Sequence, residues 1–94
     1  MMNEETREIL VILGEEASEV SKEIFKIMRF GPDQCKPNSE ETNIQALEKE
    51  LGDLMAMIEL IMEQNVGITH KGLQEAKKAK FEKLKQWSNI TINK

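Results

Sequence analysis

Two acidic pairs share one spacing in this chain, Glu16 with Glu19 and Glu50 with Asp53. Residues three apart lie on one side of a helix, so each pair projects two carboxylates in nearly the same direction. At the helical step of about 100° per residue, Glu16 falls within about 20° of the arc of about 60° that holds Ile9, Leu13, Val20, Ile24 and Ile27. Glu19 is one step away and Glu23 lies at the edge of that arc. Glu50 and Asp53 fall inside the apolar arc of their own segment. Four carboxylates aimed at one seam repel one another unless water, protons or cations intervene. An all-oxygen set suits Mg²⁺, with Mn²⁺ as a substitute and Ca²⁺ less suited to catalysis. Iron is disfavoured, because His70, the one histidine, has no glutamate at the Glu-x-x-His spacing of di-iron bundles. Cys35 stands alone and builds neither a thiolate cluster nor an internal disulfide. Acidic pairs at this spacing are common on solvated helices; two pairs within apolar stripes on successive segments are not, and that coincidence favours a metal site.

Three helical segments must position these residues. They run from about Glu5 to Phe30, Glu40 to Gln64 and His70 to Ser88, separated by breaks at Gly31-Pro32 through Pro37-Asn38 and around Val66-Gly67-Ile68-Thr69. Asn38 or Ser39 is expected to cap the second helix, with Glu41 in the capping-box position, and Thr69 the third. A short extra turn of helix is expected in the first break, and residues 89–94 are expected to fray. The apolar residues of segment two, including Ile44, Leu47, Leu51, Leu54, Met55, Met57, Ile58, Leu60 and Ile61, spread over roughly 220° of the helix. One small neighbour cannot cover that arc, so a second copy is expected to. Segment three has Leu73, Ala76, Phe81, Leu84 and Trp87 as its expected buried edge, surrounded by lysines. The expected fold is therefore a single all-α domain over residues 1–94, an antiparallel helical bundle completed by homodimerisation, with a tetramer as the larger option.

Composition agrees. The 94 residues are one domain's worth of chain; 39% are hydrophobic and 32% charged, which fits a globular fold rather than a disordered tail. Aromatics at 4%, with no Tyr, favour helix over strand. The net charge of −4 argues against a nucleic-acid polymer as partner. The acidic start does not read as a signal peptide, and no apolar run approaches the roughly 20 residues of a membrane span. A cytoplasmic protein that touches no membrane is expected.

The segments Leu13-Gly14-Glu15-Glu16-Ala17-Ser18-Glu19-Val20 and Lys49-Glu50-Leu51-Gly52-Asp53-Leu54 resemble the E-x-x-E and E-x-x-D helices of the all-α, MazG-like nucleoside triphosphate pyrophosphohydrolases. Lys80-Phe81-Glu82-Lys83 resembles the K-F-x-R segment of that family's last helix, with Lys83 in the arginine's place and the family's preceding asparagine absent. The resemblance covers about residues 5 to 87 and implies that Glu16, Glu19, Glu50 and Asp53 hold Mg²⁺. It implies that Lys80 and Lys83 reach a triphosphate. It further implies cleavage between the α and β phosphates, giving a nucleoside monophosphate and pyrophosphate.

Within that chemistry a carboxylate not fully engaged as a ligand can take a proton from the attacking water, and Glu15 or Glu19 is the candidate. Lys22 and Lys26 neighbour Glu19 and can contact phosphate, although ordinary pairing with nearby glutamates accounts for them equally well. Trp87 can stack on a nucleobase, against the plainer expectation of a core plug. Cys35 and His70 receive no role. Two alternatives come from other classes: a helical protein-interaction module in which the acids are incidental, and a nucleotide- or metal-binding regulator without turnover.

Overall fold

A computed structural model describes residues 2–94; Met1, where the expected domain begins, lies outside the described residues. The chain is all-helical: α1 spans Glu4–Phe30, α2 Asn43–Glu63 and α3 His70–Trp87. Among the described residues there is no β-strand, only an isolated bridge between Cys35 and Thr42. Contacts divide the chain into two compact units, one ending at Gln64 and the other Asn65–Lys94.

The first unit holds α1 and α2. Helix α1 starts where the Asn3 side chain accepts from the Thr6 N–H at 2.8 Å, with Glu4 and Glu5 favourably placed against the positive end of the helix dipole. It stops at Gly31, whose φ of 93° is easy only for glycine and whose N–H returns to the Ile27 carbonyl at 2.8 Å. The loop is then tied to the start of α2. The Asn43 and Ile44 N–H groups donate to the Gln34 and Pro32 carbonyls at 2.9 and 3.0 Å, and the Asn43 side-chain amide donates to the Gly31 carbonyl at 3.0 Å. Asn43 is 6% exposed, so these bonds satisfy a buried polar residue. At the far end the Thr6 hydroxyl donates to the Gln64 side-chain carbonyl at 2.6 Å. Tied at both ends, α2 returns along α1.

Two local expectations are corrected here. Thr42, not Asn38 or Ser39, caps α2, through a reciprocal box in which Thr42 Oγ1 accepts from Gln45 N at 3.1 Å and Gln45 Oε1 accepts from Thr42 N at 2.9 Å. Asn38 instead takes a left-handed turn conformation with φ 63°, and Ser39 Oγ is occupied by the Glu41 N–H at 3.0 Å. The expected extra turn of helix in this break is replaced by turns and the Cys35–Thr42 bridge, because the loop's carbonyls serve the first turn of α2.

The buried apolar residues are Ile9 and Val20 from α1 and Ala46 and Ile61 from α2. Leu13 and Ile27 are half-buried, whereas Ile24 is 42% exposed, so the α1 stripe is narrower than its periodicity suggests. On α2 one edge faces α1, and Ile44, Leu51 and Met55 remain 46%, 42% and 69% exposed.

In the second unit, α3 is capped by Thr69, whose hydroxyl accepts from the Gly72 N–H at 2.9 Å, as expected. It closes at Ser88, whose N–H and hydroxyl both donate to the Leu84 carbonyl. Residues 89–94 form no helix or strand. No residue of α3 is buried; its expected buried edge includes Leu73 at 38% and Trp87 at 82% exposure. The core-plug expectation for Trp87 is corrected accordingly.

Ile61, at 2% exposure, is the most enclosed large side chain among the described residues. Its truncation to alanine should cost about 2–5 kcal/mol, and loss of the cap in Thr42→Ala about 1 kcal/mol. Urea unfolding followed by circular dichroism checks both; an Ile61→Ala midpoint equal to wild type would contradict this core.

Candidate metal centre

The first unit brings together one acid of the first predicted pair and both of the second. One carboxylate oxygen from each of Glu16, Glu50 and Asp53 lies within 4.8 Å of the others, a separation at which a single cation can span all three. Glu16 and Glu50 are half-buried and Asp53 is exposed, so the cluster sits at the rim of the α1–α2 seam with access to water. The donor set is three hard oxygens with open positions. That fits Mg²⁺ or Mn²⁺, which retain several waters, better than zinc or iron, which favour nitrogen and sulfur ligands.

The cluster marks itself electrostatically. The Glu16 carboxyl is held above its ordinary value of 4.5, first by loss of solvent, then by the charge on Asp53, by a hydrogen bond shared with Glu50, and by the charges of Glu50 and Glu19. Every cause acts against the ionised form, and a bound cation would reverse the balance.

Glu19, the fourth predicted ligand, is half-buried and close enough to act on Glu16 through its charge, but its carboxylate lies outside the group of three. Glu15, the other candidate base, is exposed. Lys26 is half-buried, and its Nζ sits 3.3 Å from Glu23 Oε1; it lines a depression under the loop with Phe30, Gln34 and Asn43. Lys22 is exposed. Glu23 is the acid that pattern reading undervalued: it is 5% exposed, and its Oε2 has no hydrogen-bond partner among the described residues. Its position at the edge of the α1 apolar arc was the available signal. In the second unit Lys80, Lys83 and Trp87 are all exposed. Cys35 and His70 are exposed as well.

Compared with family models, curated proteins and solved structures, the chain matches none.

A carboxyl that binds its proton more tightly in the folded chain than in the unfolded one stabilises the fold below its unfolded value. That contribution fades as pH rises through the higher folded value. Without divalent cations, the wild type should therefore lose melting temperature as pH is raised from the ordinary glutamate value of 4.5 toward neutrality, and Glu16→Gln should lose less. Melting curves in EDTA across that range decide it; parallel pH profiles for the two proteins would show that Glu16 carries no such linkage.

Proposed function

We propose that the chain is a Mg²⁺-dependent nucleoside triphosphate pyrophosphohydrolase, with Mn²⁺ able to substitute. It would cleave a ribo- or deoxyribonucleoside triphosphate between the α and β phosphates to the monophosphate and pyrophosphate. The observation that supports this reading best is the convergence of Glu16, Glu50 and Asp53 to within 4.8 Å, from the two helices whose E-x-x-E and E-x-x-D spacing suggested the chemistry. When bound, a divalent cation offsets triphosphate charge and acidifies water.

The chain's own residues supply the rest. Glu16, Glu50 and Asp53 hold the cation at the rim of the seam. Glu19, adjacent in charge but outside the triad, is free to accept the proton of the attacking water and suits that role better than exposed Glu15. Lys80 and Lys83 are assigned to the triphosphate, Lys26 to a phosphate contact and Trp87 to the base. The exposure of Trp87, at 82%, leaves its ring available for stacking. The working form is a homodimer, or a tetramer built from two dimers, that completes the helical bundle. The protein acts in the cytoplasm on free nucleotides, not on a nucleic-acid polymer. Among the described residues no helix is long and apolar enough to cross a membrane.

Incubation with a panel of triphosphates, with products separated by ion-exchange chromatography, tests the reaction. Monophosphate and pyrophosphate should form in equal amounts with Mg²⁺ and cease with EDTA; diphosphate and orthophosphate would reject the assigned bond. Glu16→Gln, Glu50→Gln and Asp53→Asn should each lose most turnover, since each removes charge from the cation site. Two of the three retaining wild-type rates would dismiss the site.

A second measurement separates site from scaffold. Neutralising one of three mutually repelling carboxylates relieves strain, so Glu50→Gln should melt no lower than wild type in EDTA while losing activity. Millimolar Mg²⁺ should raise the wild-type melting temperature more than the variant's. A large loss of stability in Glu50→Gln, with no Mg²⁺ shift in wild type, would mean that these acids serve the fold.

A further inference from the structure

Glu23 has a need that nothing among the described residues meets. Its side chain is buried in α1; Oε1 lies 3.3 Å from Lys26 Nζ, and Oε2 is enclosed with no donor. An ordinary ion pair three residues apart on a helix accounts for Oε1 and leaves Oε2 unexplained, and a carboxylate oxygen removed from water without a hydrogen bond is costly. Glu23 follows Glu16 by seven residues, or two helical turns, so the two lie on one side of α1, about 20° apart around the axis and about 10 Å apart along it. Lys26 belongs to two surroundings. Its ammonium contacts Glu23, and its side chain lines an open depression of about 350 Å³ with Phe30, Gln34, Pro37 and Asn43. That volume is of the size that takes a small molecule, and Phe30, 51% exposed, offers it an apolar wall.

We infer that the depression receives the nucleobase of the substrate and that Glu23 reads the edge of that base, selecting guanine. The inference rests on the hydrolase reading above and names the substrate within it. A cation at Glu16, Glu50 and Asp53 sets the phosphates at one point of the α1–α2 seam, and two turns along α1 is about the span from a nucleotide's α-phosphate to the outer edge of its base. Lys26 is a long side chain, 30% exposed, and gives up Glu23 as the base enters, which leaves its ammonium for the phosphate contact assigned to it. The two oxygens of Glu23 then accept from two neighbouring N–H groups. Among the common bases guanine alone presents that pair, N1–H beside its exocyclic amine. Adenine and cytosine offer one amine next to a ring-nitrogen acceptor, and uracil and thymine one N–H between two carbonyls, so each sets a lone pair against the carboxylate. Stacking on Trp87 reads the face of a base and tolerates any base, whereas a carboxylate at the edge discriminates.

The full-length chain is assayed with the four common ribonucleoside triphosphates and their deoxy counterparts in Mg²⁺. In the wild type kcat/KM for the guanine nucleotides is expected to exceed that for the others by about tenfold or more. Glu23→Gln, which exchanges one acceptor for a donor, should bring guanine down to the level of the other bases and leave theirs little changed. Glu23→Asp, still a double acceptor, should keep part of the preference. Isothermal titration calorimetry with guanosine and adenosine monophosphates in Mg²⁺ reads the same margin without turnover. A wild type that does not distinguish bases overturns the inference whether or not the variants fold. A preference that survives Glu23→Gln overturns it too, as does an equal loss for every base, which marks Glu23 as a prop of the fold, or a change confined to the ribose-to-deoxyribose ratio, which places the carboxylate on the sugar. Guanosine monophosphate held through Glu23 by a chain that hydrolyses no triphosphate removes the enzymatic reading alone, and hydrolysis that ignores the base removes this inference alone.

Discussion

The repulsion among Glu16, Glu50 and Asp53 is the constraint on which the first unit turns. Three oxygens within 4.8 Å are brought together from two helices, so their approach opposes the packing that makes it possible. Loss of solvent first, and that opposition after it, raise the proton affinity of Glu16. What holds the helices against it is concentrated at their ends: Asn43 bound to Gly31 near the loop, and Thr6 bound to Gln64 opposite. The buried Ile9, Val20, Ala46 and Ile61 join them. Tied at both ends, the two helices hold the three carboxylates together against that repulsion.

Helices and carboxylates were legible in the sequence for the same reason: both obey the 3.6-residue period. Positions three apart read as one direction, and Glu16, Glu50 and Asp53 meet accordingly. The period gives the direction of a side chain around the axis but not its reach along it, and Glu19, one step off the shared arc, stands outside the triad. Cap positions were less legible, because several residues compete for them on local terms. Asn38, Ser39 and Thr42 are all good caps. The choice fell to Thr42 once loop carbonyls at Pro32 and Gln34 had claimed the first amides of α2, a decision made by tertiary hydrogen bonds.

The edge of α3 shows the converse limit. Periodicity identified Leu73, Phe81, Leu84 and Trp87 as one side of a helix, and in the single chain that side is not buried. An amphipathic pattern specifies that a face wants cover, not which surface provides it. The groove on α2 carries the same message from the other direction: an arc of roughly 220° was too broad for one partner, and Leu51 and Met55 remain exposed.

Strain at the carboxylates and the uncovered faces have a common origin in the size of the chain. A short chain buries a small fraction of its surface, and this one encloses only four apolar residues among those described. So thin a core leaves little margin to hold three acids in contact, and less still once the buried Glu23, with one oxygen unpartnered, is added. Covering Ile44, Leu51 and Met55 on α2 with another apolar face adds burial to the very helix that carries Glu50 and Asp53. Burial on that side of α2 and the carboxylate cluster are therefore linked through the stability of one helix. Any apolar cover on Ile44, Leu51 and Met55 would stiffen the helix on which two of the three carboxylates stand.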